Sequence, residues 1–173
     1  MSGPGMEIKA IALDVDGVLT DGCFWWGPAG EEFKRFSFLG IMGVSLGRKA
    51  GLNFALISGE DSPLVDRYAV KMGITDVFKG CKDKGTAFRA FAERHGLALE
   101  EVGFMGNDVN DLSALELAGL PAVPADAHES ARRAAAFVAK RKGGDGAVRE
   151  LVDLVLARRG SLEPEAPLKE GPG

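Results

Sequence analysis

The sequence of 173 residues has few cysteines, no basic excess and no long apolar run. Its two cysteines, Cys23 and Cys81, lack the spacing of a metal or redox site, so we expect free thiols in a reducing compartment, the cytoplasm. The net charge is −4, and acidic and basic residues are interspersed, so the sequence does not indicate a basic surface that would bind nucleic acid. No apolar stretch could span a membrane, and the opening M-S-G-P-G-M lacks the regions of a signal peptide.

The length predicts one folded domain, which we place at residues 7–160. Residues 1–6 read as an extension, or an added remnant, ahead of a natural start at Met6. Residues 161–173 are rich in proline and acidic side chains, so we expect a tail that is mobile on its own.

Short apolar runs alternate with helical patterns along the chain, which predicts an α/β fold with a doubly wound parallel sheet. Pro63 suits the first position of a helix capped by Asp61 or Ser62, and Gly73 closes that helix. The prolines of L-P-A-V-P, residues 120–124, indicate a strand at a sheet edge or at its termination. We expect strands at 8–13, 53–59, 76–78, 102–106, 120–124 and 136–139, and helices at 39–50, 63–73, 84–95, 112–119 and 146–159.

Residues 23–36 predict a β-hairpin, because aromatic segments flank the turn sequence G-P-A-G. A two-stranded ribbon cannot bury many aromatic side chains by itself. These side chains therefore fold down onto their own domain or form an interface between subunits. The aromatic residues concerned are Phe24, Trp25, Trp26, Phe33 and Phe36.

Two carboxylates, Asp14 and Asp16, follow the first buried strand, with Gly17 behind them. Two acids one residue apart at the end of a buried strand are costly unless a cation meets them. Mg²⁺ prefers hard oxygen ligands and leaves room for a phosphate. In that arrangement one carboxylate can attack phosphorus while the other carries a proton, although an acidic turn bent by Gly17 is the structural alternative.

Three further polar clusters follow later strands, and in a doubly wound sheet such positions share one crevice. Ser58 could hold a phosphate oxygen or begin a turn. Lys84 could neutralise the nucleophile and the phosphate, or be a solvated lysine in the first turn of a helix. The third cluster could ligate a metal or cap the next helix, and it contains Asn107, Asp108 and Asp111.

This set, in this order, resembles the four motifs of the haloacid dehalogenase superfamily. The resemblance implies that Asp14 forms an aspartyl-phosphate and that Asp16 protonates the leaving alkoxide and later activates water. It implies phosphate binding by Ser58, Gly59 and Lys84. It also implies a Mg²⁺ site formed by Asp14, Asp16, Asn107, Asp108 and Asp111. The fourth motif reads G-N-D instead of the usual G-D, so either Asn107 or Asp108 is its main ligand.

Along residues 7–158 the chain looks like the cap-less phosphatases of phosphorylated 2-keto-3-deoxy sugar acids, which act on octulosonate 8-phosphate or on nonulosonate (sialic-acid-type) 9-phosphates. The resemblance implies a three-layer Rossmann-like sheet, a hairpin flap at 23–36, no cap domain, and a homotetramer in which neighbouring subunits replace the cap. Where the octulosonate enzymes typically carry arginine, this chain has Glu60.

Glu60 and Lys71 resemble the nonulosonate branch, and eleven residues at ~100° each would place them on nearly one helix face. The other residues expected to contact substrate are Thr20, Lys142 and Arg149. Gly40 departs from the family, which often has an aspartate there. A second hypothesis is a non-catalytic tetramerisation or regulatory domain, like the one fused to acylneuraminate cytidylyltransferases.

Overall fold

The computed structural model describes residues 6–161. It contains a six-stranded sheet with the order β5-β4-β1-β6-β7-β8, in which every neighbouring pair is parallel. The strands are β1 Ala10–Leu13, β4 Asn53–Ile57, β5 Asp76–Phe78, β6 Val102–Met105, β7 Leu120–Val123 and β8 Phe137–Val138. The helices are α1 Phe38–Lys49, α2 Pro63–Met72, α3 Lys84–Arg94, α4 Leu112–Leu115, α5 Glu129–Ala134 and α6 Ala147–Arg158.

The sheet is the middle of three layers, as the doubly wound prediction requires. In β1 the larger side chains, Ile11 and Leu13, pack with α1, α2 and α6 on one face. The smaller ones, Ala10 and Ala12, pack with α3, α4 and α5 on the other. This strand is buried on both faces, which explains why its sequence is continuously apolar and does not alternate.

Local capping signals set the helix boundaries close to their predicted positions. The Ser62 hydroxyl accepts a hydrogen bond from the Leu64 N–H at the start of α2, and Gly73 ends this helix in the left-handed conformation. Asp83 accepts from the Gly85 N–H and thereby fixes the start of α3 at Lys84. The cap of α3 is what places Lys84 at the edge of the sheet.

Residues 23–36 form the predicted hairpin, which we call the flap. Its strands are only β2 Trp25–Trp26 and β3 Glu32–Phe33, and an antiparallel bridge joins Thr20 to Phe36. The flap is the insertion between β1 and α1, and residues 6–161 contain no cap domain.

Two expectations about secondary structure are met only in part. For L-P-A-V-P the sheet-edge alternative is wrong, because β7 lies between β6 and the two-residue β8, whereas the strand does terminate at Val123, directly before Pro124. The helix predicted at 112–119 begins where expected but has only one turn, α4 Leu112–Leu115, and a 3₁₀ turn at Val109–Asp111 precedes it. Predictions for residues 1–5 and 162–173 lie outside the described range. None of the described helices has the length and apolarity needed to cross a membrane.

Candidate active site

The predicted polar clusters meet at one edge of the sheet, where three adjacent strands end. Asp14 follows β1, Ser58 follows β4 and Asn107 lies two residues beyond β6. A cavity of about 180 Å³ opens there. Its lining residues are Asp14, Asp16, Phe24, Gly59, Glu60, Lys84, Asn107, Asp108 and Asn110. The topology therefore brings residues almost one hundred positions apart into one crevice.

A buried charge cluster lies at the base of this crevice. The Lys84 ammonium is 2.8 Å from Asp14 Oδ1 and 2.6 Å from Asp111 Oδ1. The three residues are only 1%, 4% and 0% exposed, respectively. One cation between two carboxylates leaves an excess negative charge inside the protein, which is costly without a further cation.

This excess charge perturbs the groups that carry it. Burial raises the pKa of Asp14 to about 7, repulsion from Asp111 adds to the increase, and Lys84 opposes it. Burial alone would lower the pKa of Lys84, but its two carboxylate neighbours hold it above the usual value. Lys84 therefore remains charged, and Asp14 is the group that gains most from an added cation.

The oxygen atoms around Asn107 fit such a cation. One terminal atom of the Asn107 amide lies 3.0 Å from Asp14 Oδ2, 3.1 Å from the Asp16 main-chain oxygen and 3.3 Å from Asp111 Oδ2. If nitrogen occupies this position it donates to all three oxygens; if oxygen occupies it, four oxygens converge. Neighbouring ligands of an octahedral Mg²⁺ with ~2.1 Å bonds are ~3.0 Å apart. The surrounding acceptors favour nitrogen at this position. Turned by 180°, the amide would place its oxygen at distances from Asp14 Oδ2 and the Asp16 carbonyl that suit neighbouring ligands.

The two carboxylates of the fourth motif, Asp111 and Asp108, have different surroundings. Both Asp111 oxygens are engaged, because Oδ1 meets Lys84 and Oδ2 accepts from the main-chain N–H groups of Asn107 and Asp108 at 2.7 and 3.2 Å. Asp108 is exposed at the crevice rim. Across residues 6–161, no three His, Cys, Asp or Glu side chains form a metal site on their own. The ligand set therefore needs the carbonyl and the amide.

Ser58 and Gly59 follow β4 at the carboxyl edge of the sheet, and Ser58 is not among the residues that line the cavity. Ser58 is fully buried, and its Oγ accepts from the Glu60 N–H at 3.1 Å, which leaves the hydroxyl hydrogen free to donate. Gly59 lines the cavity directly. Together with the Lys84 ammonium, these groups can hold an anion against Asp14.

Asp16 has a partner that the sequence did not indicate. Lys34, which directly follows β3 in the flap, places its ammonium 2.8 Å from Asp16 Oδ1. The segment G-E-E-F-K-R-F reads as an ordinary amphipathic strand, and Lys34 differs from a surface lysine only through this long-range contact. The available sequence signal was the position of the flap, which begins seven residues after Asp16.

The structure separates the residues that were expected to contact substrate. Glu60 lines the crevice, whereas Lys71 lines a larger cavity of about 330 Å³ between the flap, α1 and α2. The expectation that the two share a helix face is wrong, because α2 begins at Pro63 and Glu60 precedes it. The larger cavity lacks the carboxylate cluster, so the smaller one is the candidate active site.

Thr20, Lys142 and Arg149 lie outside the cavity lining. The buried Thr20 hydroxyl accepts from the N–H groups of Gly17 and Gly22, both at 3.2 Å, and so shapes the loop after Asp16. Lys142 is exposed. Arg149 donates from Nε to both oxygens of Asp153 at 2.9 Å. Thr20 therefore supports the site from outside the cavity, and the structure gives neither Lys142 nor Arg149 a contact with it.

The chain is similar to known proteins in both sequence and fold. A sequence profile described as haloacid dehalogenase-like hydrolase matches residues 56–151. The chain is 36% identical over 157 residues to the 3-deoxy-D-manno-octulosonate 8-phosphate phosphatase KdsC of Escherichia coli K12, and the match covers 91% of this chain and 84% of that protein.

Two solved structures show the same fold. The 3-deoxy-D-manno-octulosonate 8-phosphate phosphatase of Moraxella catarrhalis, in complex with magnesium ion, phosphate ion and KDO, has a TM-score of 0.86 at 33% identity, covering 90% of this chain and 89% of that chain. The cobalt-bound deoxy-D-mannose-octulosonate 8-phosphate phosphatase of Haemophilus influenzae has a TM-score of 0.87 at 34% identity, covering 91% and 92%.

Proposed function

The chain belongs to the haloacid dehalogenase-like hydrolases, and from that premise we propose that it is a Mg²⁺-dependent phosphatase of a 2-keto-3-deoxy sugar acid phosphate. The observation that carries the proposal is the buried Asp14–Lys84–Asp111 cluster beside the oxygen atoms of Asp16 and Asn107. It combines a nucleophile, a cation for the phosphate and a place for a metal within one crevice.

The reaction proceeds in two displacements at phosphorus. A carboxylate oxygen of Asp14 attacks phosphorus, the ester P–O bond breaks, and Asp16 gives a proton to the departing alkoxide. Water then attacks the aspartyl-phosphate, Asp16 takes up its proton, and the acyl-phosphate P–O bond breaks to release inorganic phosphate and regenerate Asp14.

The other crevice residues hold the transferring group. Ser58 Oγ and the Lys84 ammonium bind phosphoryl oxygens, and Gly59 lets the main chain approach closely. Asp14, the Asp16 carbonyl and Asn107 would hold Mg²⁺, which would supply positive charge to neutralise Asp14 and the phosphate. In this proposal Asp111 orients Lys84 and the 107–108 main chain, while Asp108 remains a candidate for holding water on the metal.

The names of the relatives support an octulosonate as the leaving group. A nonulosonate is the alternative that the resemblance of Glu60 and Lys71 implies. Glu60 is the residue of this chain placed to distinguish the two, because it lines the same crevice as Asp14. The aliphatic alcohol of such a sugar is a poor leaving group, which gives Asp16 its role as a proton donor.

We also propose a homotetramer in the cytoplasm. Trp25 and Trp26 of the flap are 65% and 76% exposed, and clustered exposed aromatics mark interaction surfaces. Copies meeting through their flaps around a symmetry axis would cover these side chains. Cys23 and Cys81 are free thiols, which supports the proposed compartment.

The test is phosphate release from octulosonate 8-phosphate, a nonulosonate 9-phosphate and 4-nitrophenyl phosphate, with Mg²⁺ and with EDTA, using Asp14→Asn as the matched control. We expect release that requires Mg²⁺ and Asp14, with a sugar acid phosphate as the best substrate. Absence of release from all three esters would refute the proposal and favour the non-catalytic domain. Release that persists in Asp14→Asn would refute the chemistry.

A further inference from the structure

We propose that Lys34 of the flap is a positioning residue that holds the Asp16 carboxylate in its working orientation; this inference rests on the proposed function. Its ammonium lies 2.8 Å from Asp16 Oδ1, and its side chain is 0% exposed. The flap therefore does more than expose aromatic residues, because it also delivers a buried cation to the side chain that would carry the proton.

The surroundings of Lys34 fix the ammonium at this point. Nζ lies 3.7 Å from Glu32 Oε1 and 4.9 Å from the centre of the Phe24 ring, so the flap encloses it on two sides. Glu32 is itself held by the Trp26 indole N–H at 3.1 Å. Burying a lysine is costly unless a charged partner is held at good geometry, and here the nearest such partner in residues 6–161 is Asp16.

The Lys34 ammonium contacts only one of the two carboxylate oxygens of Asp16, which leaves the other oxygen available for proton transfer. Lys34 engages Oδ1, whereas Asp16 keeps 22% of its side chain exposed and lines the crevice. Its main-chain oxygen faces the Asn107 amide at 3.1 Å. Lys34 thus holds one carboxylate oxygen on the flap side, and Oδ2 is left for the leaving group. Without Lys34 the carboxylate is free to rotate about χ2 and to lose this alignment.

Loss of Lys34 should affect most strongly those substrates whose leaving group must be protonated. Proton transfer by a positioned side chain typically contributes ~10²–10⁴-fold, and misplacement forfeits part of that contribution. We therefore expect Lys34→Met to lower kcat on the sugar acid phosphate by about 10–100-fold with KM changed by less than about 3-fold. On 4-nitrophenyl phosphate, whose leaving group needs no proton, kcat should fall by less than about 3-fold.

Two variants separate positioning from folding. Lys34→Arg keeps a donor and should recover part of the lost kcat. Lys9→Met is the matched control, because it breaks an ion pair of similar length, 2.6 Å to Glu101, at the opposite end of β1. Its kinetics should match those of the wild type.

A double-mutant cycle keeps the test decisive even if Lys34→Met disturbs the flap. If Lys34 acts through Asp16, adding Lys34→Met to Asp16→Asn should cost little further activity on 4-nitrophenyl phosphate or the sugar acid phosphate. A purely structural role would give the same loss in both backgrounds. Emission from Trp25 and Trp26 reports whether the flap itself has moved.

Several outcomes would overturn the proposal. Equal kcat losses on the two esters, a full loss in the Asp16→Asn background, or a raised KM with unchanged kcat would each show that Lys34 does not act by positioning Asp16. An active wild type with an unaffected Lys34→Met variant would refute this inference alone. An inactive wild type would refute the proposed function as well.

Discussion

Asp14→Asn should stabilise the metal-free protein while abolishing turnover. In the folded chain Asp14, Lys84 and Asp111 carry a net negative charge that is largely shielded from water. Replacing the first carboxylate by an amide leaves a neutral pair of Lys84 and Asp111. Asparagine keeps nearly the same shape and an acceptor for the Val15 N–H, which Asp14 Oδ1 now accepts at 2.7 Å.

The magnitude follows from the pKa of Asp14, which rises from 3.8 to about 7 on folding. The folded state then binds more protons than the unfolded chain between these two values, so the stability from this group is complete below pH 3.8 and is lost as pH rises through 7. A difference of this size corresponds to at most about 4 kcal/mol. Lys84 loses one partner in the variant, which offsets part of this gain. We therefore expect the free energy of unfolding of Asp14→Asn at pH 8 to exceed that of the wild type by about 2 kcal/mol, which raises Tm by about 4–8 °C.

The assay is thermal unfolding of both proteins in EDTA at pH 5 and at pH 8, where wild-type Asp14 is neutral and charged, respectively. The variant should be more stable at pH 8, with a much smaller difference at pH 5, and Mg²⁺ should stabilise the wild type more than the variant. Asp108→Asn, at an exposed carboxylate of the same crevice, is the control and should keep the pH dependence of the wild type, because it retains Asp14. A variant that is less stable at pH 8, or a difference independent of pH, would refute the reasoning.

Two further predictions concern specificity and assembly. Glu60→Arg should change the ratio of kcat/KM between nine- and eight-carbon substrates while leaving 4-nitrophenyl phosphate hydrolysis nearly unchanged; an unmoved ratio would remove Glu60 from substrate recognition. Trp25→Glu with Trp26→Glu should give a smaller species by light scattering and a lower activity on the sugar acid phosphate than on the aryl ester; a wild type that is monomeric and fully active would contradict the tetramer.

The parts of the fold that depend on local chemistry could be predicted from the sequence. The continuous apolar run of β1, the Ser62 cap of α2 and the Asp83 cap of α3 lie where their residue types indicate. Because polar residues follow each strand, convergence of Asp14, Ser58 and Asn107 could also be predicted. Each of these inferences needs only neighbouring residues and the rule for parallel sheets.

The features that could not be predicted from the sequence depend on packing between distant segments. Pro121 argues for an edge strand, but the short β8 still pairs outside β7, so only the alternative of a strand ending before Pro124 fits. Glu60 and Lys71 have helical spacing, yet the Ser62 cap starts α2 beyond Glu60. Lys34 meets Asp16 only after the flap folds back, and no spacing within the sequence encodes that contact.

The central claim is that Asp14 becomes phosphorylated during turnover. It is tested most directly by acid quench within a single turnover of ³²P-labelled sugar acid phosphate with Mg²⁺, followed by mapping of the labelled peptide. We predict transient label on the peptide containing Asp14, absent in EDTA and in Asp14→Asn. Phosphate release without protein-bound label at any time, or with label at another residue, would contradict the account.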